Sequence, residues 1–112
     1  MRPTPLCHLT DIGKTGDTPA SKGFTLENGR EIFIVRDTHG VYGYENRCPH
    51  TGAPLDWVPD QFLDLDKVHI QCATHDARFR INDGFCVSGP CAGQSLREVL
   101  LEIHDDRIHL AD

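Results

Sequence analysis

Two stretches decide how this chain is read: Asn46-Arg47-Cys48-Pro49-His50-Thr51-Gly52-Ala53-Pro54-Leu55 and Ile70-Gln71-Cys72-Ala73-Thr74-His75-Asp76-Ala77-Arg78-Phe79. Each sets a cysteine just ahead of a histidine, as Cys-x-His in the first and Cys-x-x-His in the second. Between His50 and Cys72 lie 21 residues. In both stretches a strand-like run gives way to a loop, so the two loops can oppose each other like fingertips. Together they offer two soft thiolates and two imidazoles. Such a set can hold a [2Fe-2S] centre with both thiolates on one iron and both histidines on the other. The same four side chains also suit Zn²⁺, whose structural sites take Cys₂His₂. The interleaved order of ligands fits a zinc finger poorly, because fingers pair their cysteines first and their histidines later.

Outward from these loops the signals are those of short strands. Residues 23–26 and 31–35 flank Asn28-Gly29, a hairpin dipeptide because both residues tolerate positive φ. Residues 41–44 follow a Thr38-His39-Gly40 turn as a third strand. Residues 68–72 alternate apolar and polar side chains, as a half-buried strand does. Residues 77–81 and 85–87 are joined by Asn82-Asp83-Gly84, and 99–103 pair with 107–110 across His104-Asp105-Asp106. Residues 6–9 open the chain as a strand, and 11–21 form a polar loop. Helical periodicity is confined to a short piece at 94–99. The expectation is an all-β antiparallel sandwich or barrel. It forms a single domain over 1–112, with a small subdomain at about 46–91 inserted between a meander and a hairpin.

At 112 residues such a domain buries its own core, so a metal here serves function rather than replacing a core. Seventeen acidic residues against eleven basic ones leave a net charge of −6, which argues against nucleic acid as a partner. No run approaches the roughly 20 apolar residues of a membrane helix, and the first residues lack a signal-peptide core. The odd set of five cysteines, in a chain without export signals, is expected in a reducing cytoplasm.

The two quoted stretches, with Gly84 and Ser88-Gly89-Pro90 following, resemble the Rieske family's two cluster loops and the proline loop that shields them. The resemblance runs from about residue 6 to 110. It implies a Rieske-like fold, one [2Fe-2S] cluster per chain, and Cys48, His50, Cys72 and His75 as its ligands. The ligand histidines would turn their outer ring edges to solvent and give an electron a short exit. In the respiratory-complex branch of that family an extra cysteine in each loop forms a disulfide, and hydroxyl groups donate to the cluster. Here the matching positions are Ala53 and Thr74, and Ala77 and Phe79. The resemblance is therefore to the ferredoxin branch, with a potential near the low end of the Rieske range, about −150 mV.

Other residues carry two readings each. Cys86 and Cys91 flank Ser88-Gly89-Pro90 as a redox pair or as two half-buried thiols. Cys7 reads as core. Trp57, Phe62 and Leu63 among Asp56, Asp60, Asp64 and Asp66 are either a docking patch beside the cluster or a loop packed down on apolar side chains. His8, His39, His69, His104 and His109 have no ligand-spaced partners.

The resemblance implies a monomeric soluble one-electron carrier passing electrons from a flavoprotein reductase to a terminal oxygenase or reductase. No glycine-rich dinucleotide motif is present, nor a facial-triad iron site, so turnover of a substrate by the chain alone is not expected. Two alternatives remain: a small subunit of a nitrite-reductase-type complex, and a zinc-stabilised interaction module.

Overall fold

The computed structural model describes residues 5–13, 18–26, 28–49, 55, 60–64, 67–72, 77–89 and 92–111. Among the described residues, ten strands build three antiparallel sheets: β1 (Cys7–His8), β2 (Ala20–Thr25), β3 (Glu31–Asp37), β4 (Gly40–Glu45), β5 (His69–Gln71), β6 (Arg78–Arg80), β7 (Cys86–Ser88), β8 (Glu98–Val99), β9 (Leu101–His104) and β10 (Arg107–Leu110). Their orders are β1-β10-β9, β2-β3-β4-β8 and β5-β6-β7. The all-β antiparallel expectation holds.

Strand β3 explains why the sheets stack as they do. Its run Ile32-Phe33-Ile34-Val35 is fully buried, so both faces of the central sheet are covered. Side chains alternate across a strand. Phe33 and Val35 accordingly join one apolar cluster with Tyr44, Phe62, Ile70 and Phe79. Ile34 joins another with Ile12 and Ile108, against the β1-β10-β9 sheet. The first cluster runs unbroken from the central sheet into the β5-β6-β7 sheet, which carries the second quoted stretch.

The turns form where their residues demand. Leu26 N–H donates to the Arg30 carbonyl at 2.8 Å across Asn28-Gly29. Asp105 and Asp106 take φ of 52° and 62° between β9 and β10. Two successive positive values are those of a type I′ hairpin, which matches the twist of its strands. In the β6–β7 turn, Asp83 accepts from Arg80 Nε and from Phe85 N–H, each at 3.0 Å.

Four expectations need correction. The loop expected over 11–21 ends early, since Ala20 and Ser21 belong to β2, and its Ile12 is fully buried. Residues 94–99 form no helix: Cys86 N–H donates to Gln94 O at 2.8 Å and Leu96 N–H to Gly84 O at 2.9 Å. Those bonds to the β6–β7 hairpin use the groups a helical turn would need, and the segment ends in β8. The strand expected over 99–103 is two strands. Val99 pairs with Gly43 of β4, while Leu101 onward pairs with β10, and Leu100 between them is 63% exposed. Of the strand expected over 6–9, only Cys7–His8 is strand. His8 caps a single 3-10 turn over Leu9–Asp11, donating its N–H to Asp11 Oδ2 at 2.9 Å.

Tyr44 ties the central sheet to the β6–β7 hairpin by donating its hydroxyl to the Ile81 carbonyl at 2.6 Å. Burial, helped by the charges of Asp83 and Glu98, pushes its phenol above the ordinary tyrosine range. Tyr44→Phe would leave that carbonyl without this donor. The expected loss is about 1–2 kcal/mol, read as a lower urea midpoint at unchanged slope.

Candidate metal centre

Each predicted thiolate stands where a strand releases the chain into a loop. Strand β4 ends at Glu45, and Asn46 N–H still reaches the Glu31 carbonyl at 2.9 Å. Two residues later Cys48 is 1% exposed. Strand β5 ends at Gln71, and the next residue, Cys72, is fully buried. Its N–H donates to the Ala77 carbonyl at 2.8 Å, which closes the second loop on the ladder. Cys48 and Cys72 share one apolar cluster with Leu55, Ala77 and Phe79. Both thiols are thus buried in the same apolar cluster, although 23 residues separate them in sequence.

His50 and His75 lie outside the described residues, as do Gly52, Ala53, Thr74, Pro90 and Cys91. The structure does describe the approach of the third loop. Ser88 pairs with Arg78, so Gly89 follows beside Ala77. At Gly89 φ is +100°, and a Cβ there would stand 2.7 Å from Ala77 Cα. Only a residue without a side chain brings this backbone so close to the second loop. The Cys86 sulfhydryl, 1% exposed, donates to the Ser88 carbonyl at 3.2 Å at the start of the same loop.

The acidic segment packs down at Phe62, Leu63 and Asp64, while Asp60 and Gln61 stay exposed. Phe62 is fully buried and stacks on Phe33, with ring centroids 4.3 Å apart. Leu63 bridges Ile70 as a partly buried residue. Asp60 accepts the Gly23 N–H at 2.9 Å, which fastens the segment to β2. Asp64 is buried and accepts from Val68 N–H at 2.9 Å and His69 N–H at 3.3 Å. Burial alone would raise its carboxyl. Those bonds and the nearby His69 and Arg78 outweigh it, holding the group below the usual carboxylate range. Of the residues in the docking reading, Phe62 and Asp64 are thus buried, Leu63 is half-buried and Asp60 stays exposed. Trp57, Asp56 and Asp66 lie outside the described residues.

The remaining described histidines have local roles. His8 caps the 3-10 turn, His39 N–H donates to Asp37 Oδ1 at 2.8 Å, His69 lies 3.6 Å from Asp64, and His104 lies 3.3 Å from Glu102 and edge-on to His109. Asn46, quoted in the sequence without a role, proves to matter: its Oδ1 accepts the Leu55 N–H at 2.7 Å. Its place two residues before Cys48 was the available signal, since asparagine side chains commonly bond nearby backbone.

No helix among the described residues is long and apolar enough to cross a membrane. A family model described as the Rieske [2Fe-2S] domain matches residues 3–104. Among solved structures, the chain is similar to the ferredoxin of carbazole 1,9a-dioxygenase from Nocardioides aromaticivorans IC177. The identity is 27%, covering 99% of this chain and 98% of that one, with a TM-score of 0.73. A ferredoxin of Sphingomonas yanoikuyae B1 shares the fold at 18% identity, 99% coverage of both chains and a TM-score of 0.73. So does the terminal oxygenase of carbazole 1,9a-dioxygenase from Novosphingobium sp. KA1, at 18% identity and a TM-score of 0.70; the match covers 97% of this chain and 30% of that one. No curated protein sequence matches the chain.

Proposed function

The chain belongs to the Rieske [2Fe-2S] domain family, and from that premise we propose that it is a one-electron carrier supplying a terminal oxygenase. The observation that supports this best is the burial of Cys48 and Cys72 in one apolar cluster, each at the mouth of its own loop. Two thiols held this way suit the cysteine-bound half of the family's cluster, and His50 and His75 are the donors proposed for the other half. Neutral imidazoles in place of two thiolates lower the negative charge of the centre, so a bound cluster accepts an electron more readily than an all-cysteine one. The protein's own part is to keep that centre dry on one side. Leu55, Phe79 and Ala77 exclude water around the thiols, and the Gly89 backbone lies against Ala77. Low dielectric and fixed dipoles then reduce the reorganisation that accompanies a change of charge.

The partner follows from the relatives. The Nocardioides protein is the ferredoxin of a dioxygenase, and this chain aligns with it from end to end. The oxygenase is therefore the acceptor in this reading, with a flavoprotein reductase as donor and no substrate turned over by the carrier itself. Family membership favours this over the zinc module, and the ferredoxin match favours it over a nitrite-reductase subunit. The test mixes the chemically reduced protein with an oxidised terminal oxygenase of the carbazole-dioxygenase type. One electron should pass per chain, seen as reoxidation in stopped-flow absorbance. No transfer to any such oxygenase, with rapid transfer to a nitrite reductase, would remove the reading.

The potential is a second expected result. Ala77 and Phe79 are fully buried with the two thiols, and neither has a hydroxyl to donate to cluster sulfur. Such bonds stabilise the reduced form, so voltammetry should place the midpoint near the low end of the Rieske range, about −150 mV. A value above roughly +100 mV would mean that other donors replace the missing hydroxyls.

A further inference from the structure

Strand β9 stands at the end of its sheet. The order is β1-β10-β9, and among the described residues no strand pairs β9 on the side away from β10. Which backbone groups that edge offers follows from the bonds on its other side. Ala111 N–H donates to the Leu100 carbonyl at 3.0 Å, so Leu100 turns its backbone groups toward β10. The direction alternates along an antiparallel strand. Glu102 and His104 therefore face β10 as well, and Leu101 and Ile103 present N–H and C=O to the open edge.

Side chains divide the same strand between two faces. Ile103 pairs with Ile108, which is buried in one cluster with Ile12 and Ile34, yet Ile103 itself is 47% exposed at the rim. Glu102 and His104 stand on the opposite face, half-exposed and 3.3 Å apart. Arg107, also exposed, is the β10 partner of His104. The outer face of the edge thus carries a carboxylate toward Leu100, and an imidazole and a guanidinium toward the turn.

An open strand edge is a template for another strand, and charged side chains normally keep a second strand away. Here their order attracts one kind of strand, a copy of β9 running antiparallel across a twofold axis. With the axis at Ile103, the two Ile103 residues exchange their outward N–H and C=O groups. Glu102 of each copy then lies across from His104 of the other, with Arg107 beyond it. With the axis at Glu102 two carboxylates stand directly opposite each other, a destabilising pair. With the axis at Leu101 each Glu102 faces only Leu100. Charge therefore selects both the partner and the register.

We propose that this edge is a homodimer interface: β9 strands of two copies pair antiparallel about Ile103 and join two three-stranded sheets into a continuous one. The interface is self-complementary, as a twofold contact must be. It does not rest on the ligand reading, and it uses a different sheet from the β5-β6-β7 sheet that leads into Cys72. Because β9 offers only four residues, the contact is small and the dimer weak, forming as concentration rises.

Sedimentation equilibrium of the full-length, cluster-loaded chain tests this. Wild type should pass from monomer to dimer between about 10 µM and about 1 mM, the range of a small transient interface. Ile103→Lys places two ammonium groups at the axis and should stay monomeric throughout. Glu102→Lys sets an ammonium against His104 and Arg107 of the second copy, and should weaken association about tenfold. Adding His104→Glu to Glu102→Lys restores opposite charges across the axis and should bring the constant back to within about threefold of wild type. All three positions are at least half-exposed, and far-UV circular dichroism checks that each variant is folded. If Ile103→Lys does not fold, the loss in Glu102→Lys and its recovery in the double variant decide. A wild type that stays monomeric across the range overturns the proposal. So does a dimer that Ile103→Lys or Glu102→Lys leaves unchanged, since it uses another surface, or a double variant as weak as Glu102→Lys alone.

Discussion

Alanine at Cys48 or at Cys72 is expected to yield a colourless protein with no EPR signal after reduction. Each substitution removes one of the two thiolates from a site where both are buried in the same cluster, so solvent has little access to stand in. A [2Fe-2S] centre missing a protein ligand has an open iron position, and fewer than about one chain in ten should retain it. Iron and acid-labile sulfide measured per chain check this directly, at two of each for the wild type. The fold should outlast the loss. Cysteine in a core behaves as a small hydrophobe, and alanine occupies the space with a modest defect. The β2-β3-β4-β8 sheet, with β3 buried on both faces, does not depend on the thiols. Far-UV circular dichroism close to that of the wild type is therefore expected beside the lost colour. A coloured, EPR-active Cys72→Ala protein would remove Cys72 from the ligand set. A colourless wild type holding one zinc would remove the cluster altogether.

Much of the fold was legible because its turns are chemically explicit. Asn28-Gly29, Asn82-Asp83-Gly84 and Asp105-Asp106 each contain residues that form tight reversals at low cost, and each sits between strands as expected. Where the sequence misled, the competing factor was tertiary. Residues 94–99 have a helix-compatible pattern of apolar positions, but Gln94 and Leu96 bond the β7 side of the hairpin instead. Six residues cannot nucleate a helix that offsets its ordering entropy, so the bonds to the hairpin win. The division of 99–103 into two strands was not legible either. Val, Leu and Ile suit any strand, and only the exposure of Leu100 marks where the chain leaves one sheet for another.

In the candidate site the proposed ligands stand out in the sequence, of which Cys48 and Cys72 are described and buried, whereas the supports do not stand out. Cysteine and histidine at fixed spacing stand out, because few other chemistries use them so. Asp60, Asp64 and Asn46 do not, because a carboxylate or amide that caps backbone N–H groups looks in sequence like one that faces water. The charges around Phe62 suggested a docking rim for that reason. In the structure Asp60 is bonded to Gly23 and Asp64 to Val68 and His69, and the ring they surround is stacked on Phe33. Exposure, which separates these cases, is a property of the fold.

Gly89 carries the other large expected effect, because two penalties coincide there. Its φ of +100° disfavours any residue with a Cβ, and the Cβ itself would meet Ala77 Cα at 2.7 Å and Ala77 Cβ at 3.1 Å. The obstacle is backbone of the second ligand loop, already held by the Cys72–Ala77 hydrogen bond, so no side chain can swing aside. Conformational strain of about 1–2 kcal/mol and overpacking of about 1–3 kcal/mol together put Gly89→Ala roughly 2–5 kcal/mol below wild type. That corresponds to a Tm lower by on the order of 10 °C. Gly93→Ala isolates the first penalty: φ is +92°, yet a Cβ there would have nothing within 4 Å. It should lose only about 1–2 kcal/mol. The difference between the two variants is then the cost of pushing the third loop off the second. The displaced loop should also admit water to the thiol side of the centre, so chelator-driven bleaching is expected to accelerate in Gly89→Ala and not in Gly93→Ala. Equal Tm and equal bleaching in the two would show that the third loop yields freely and does not shield the cluster.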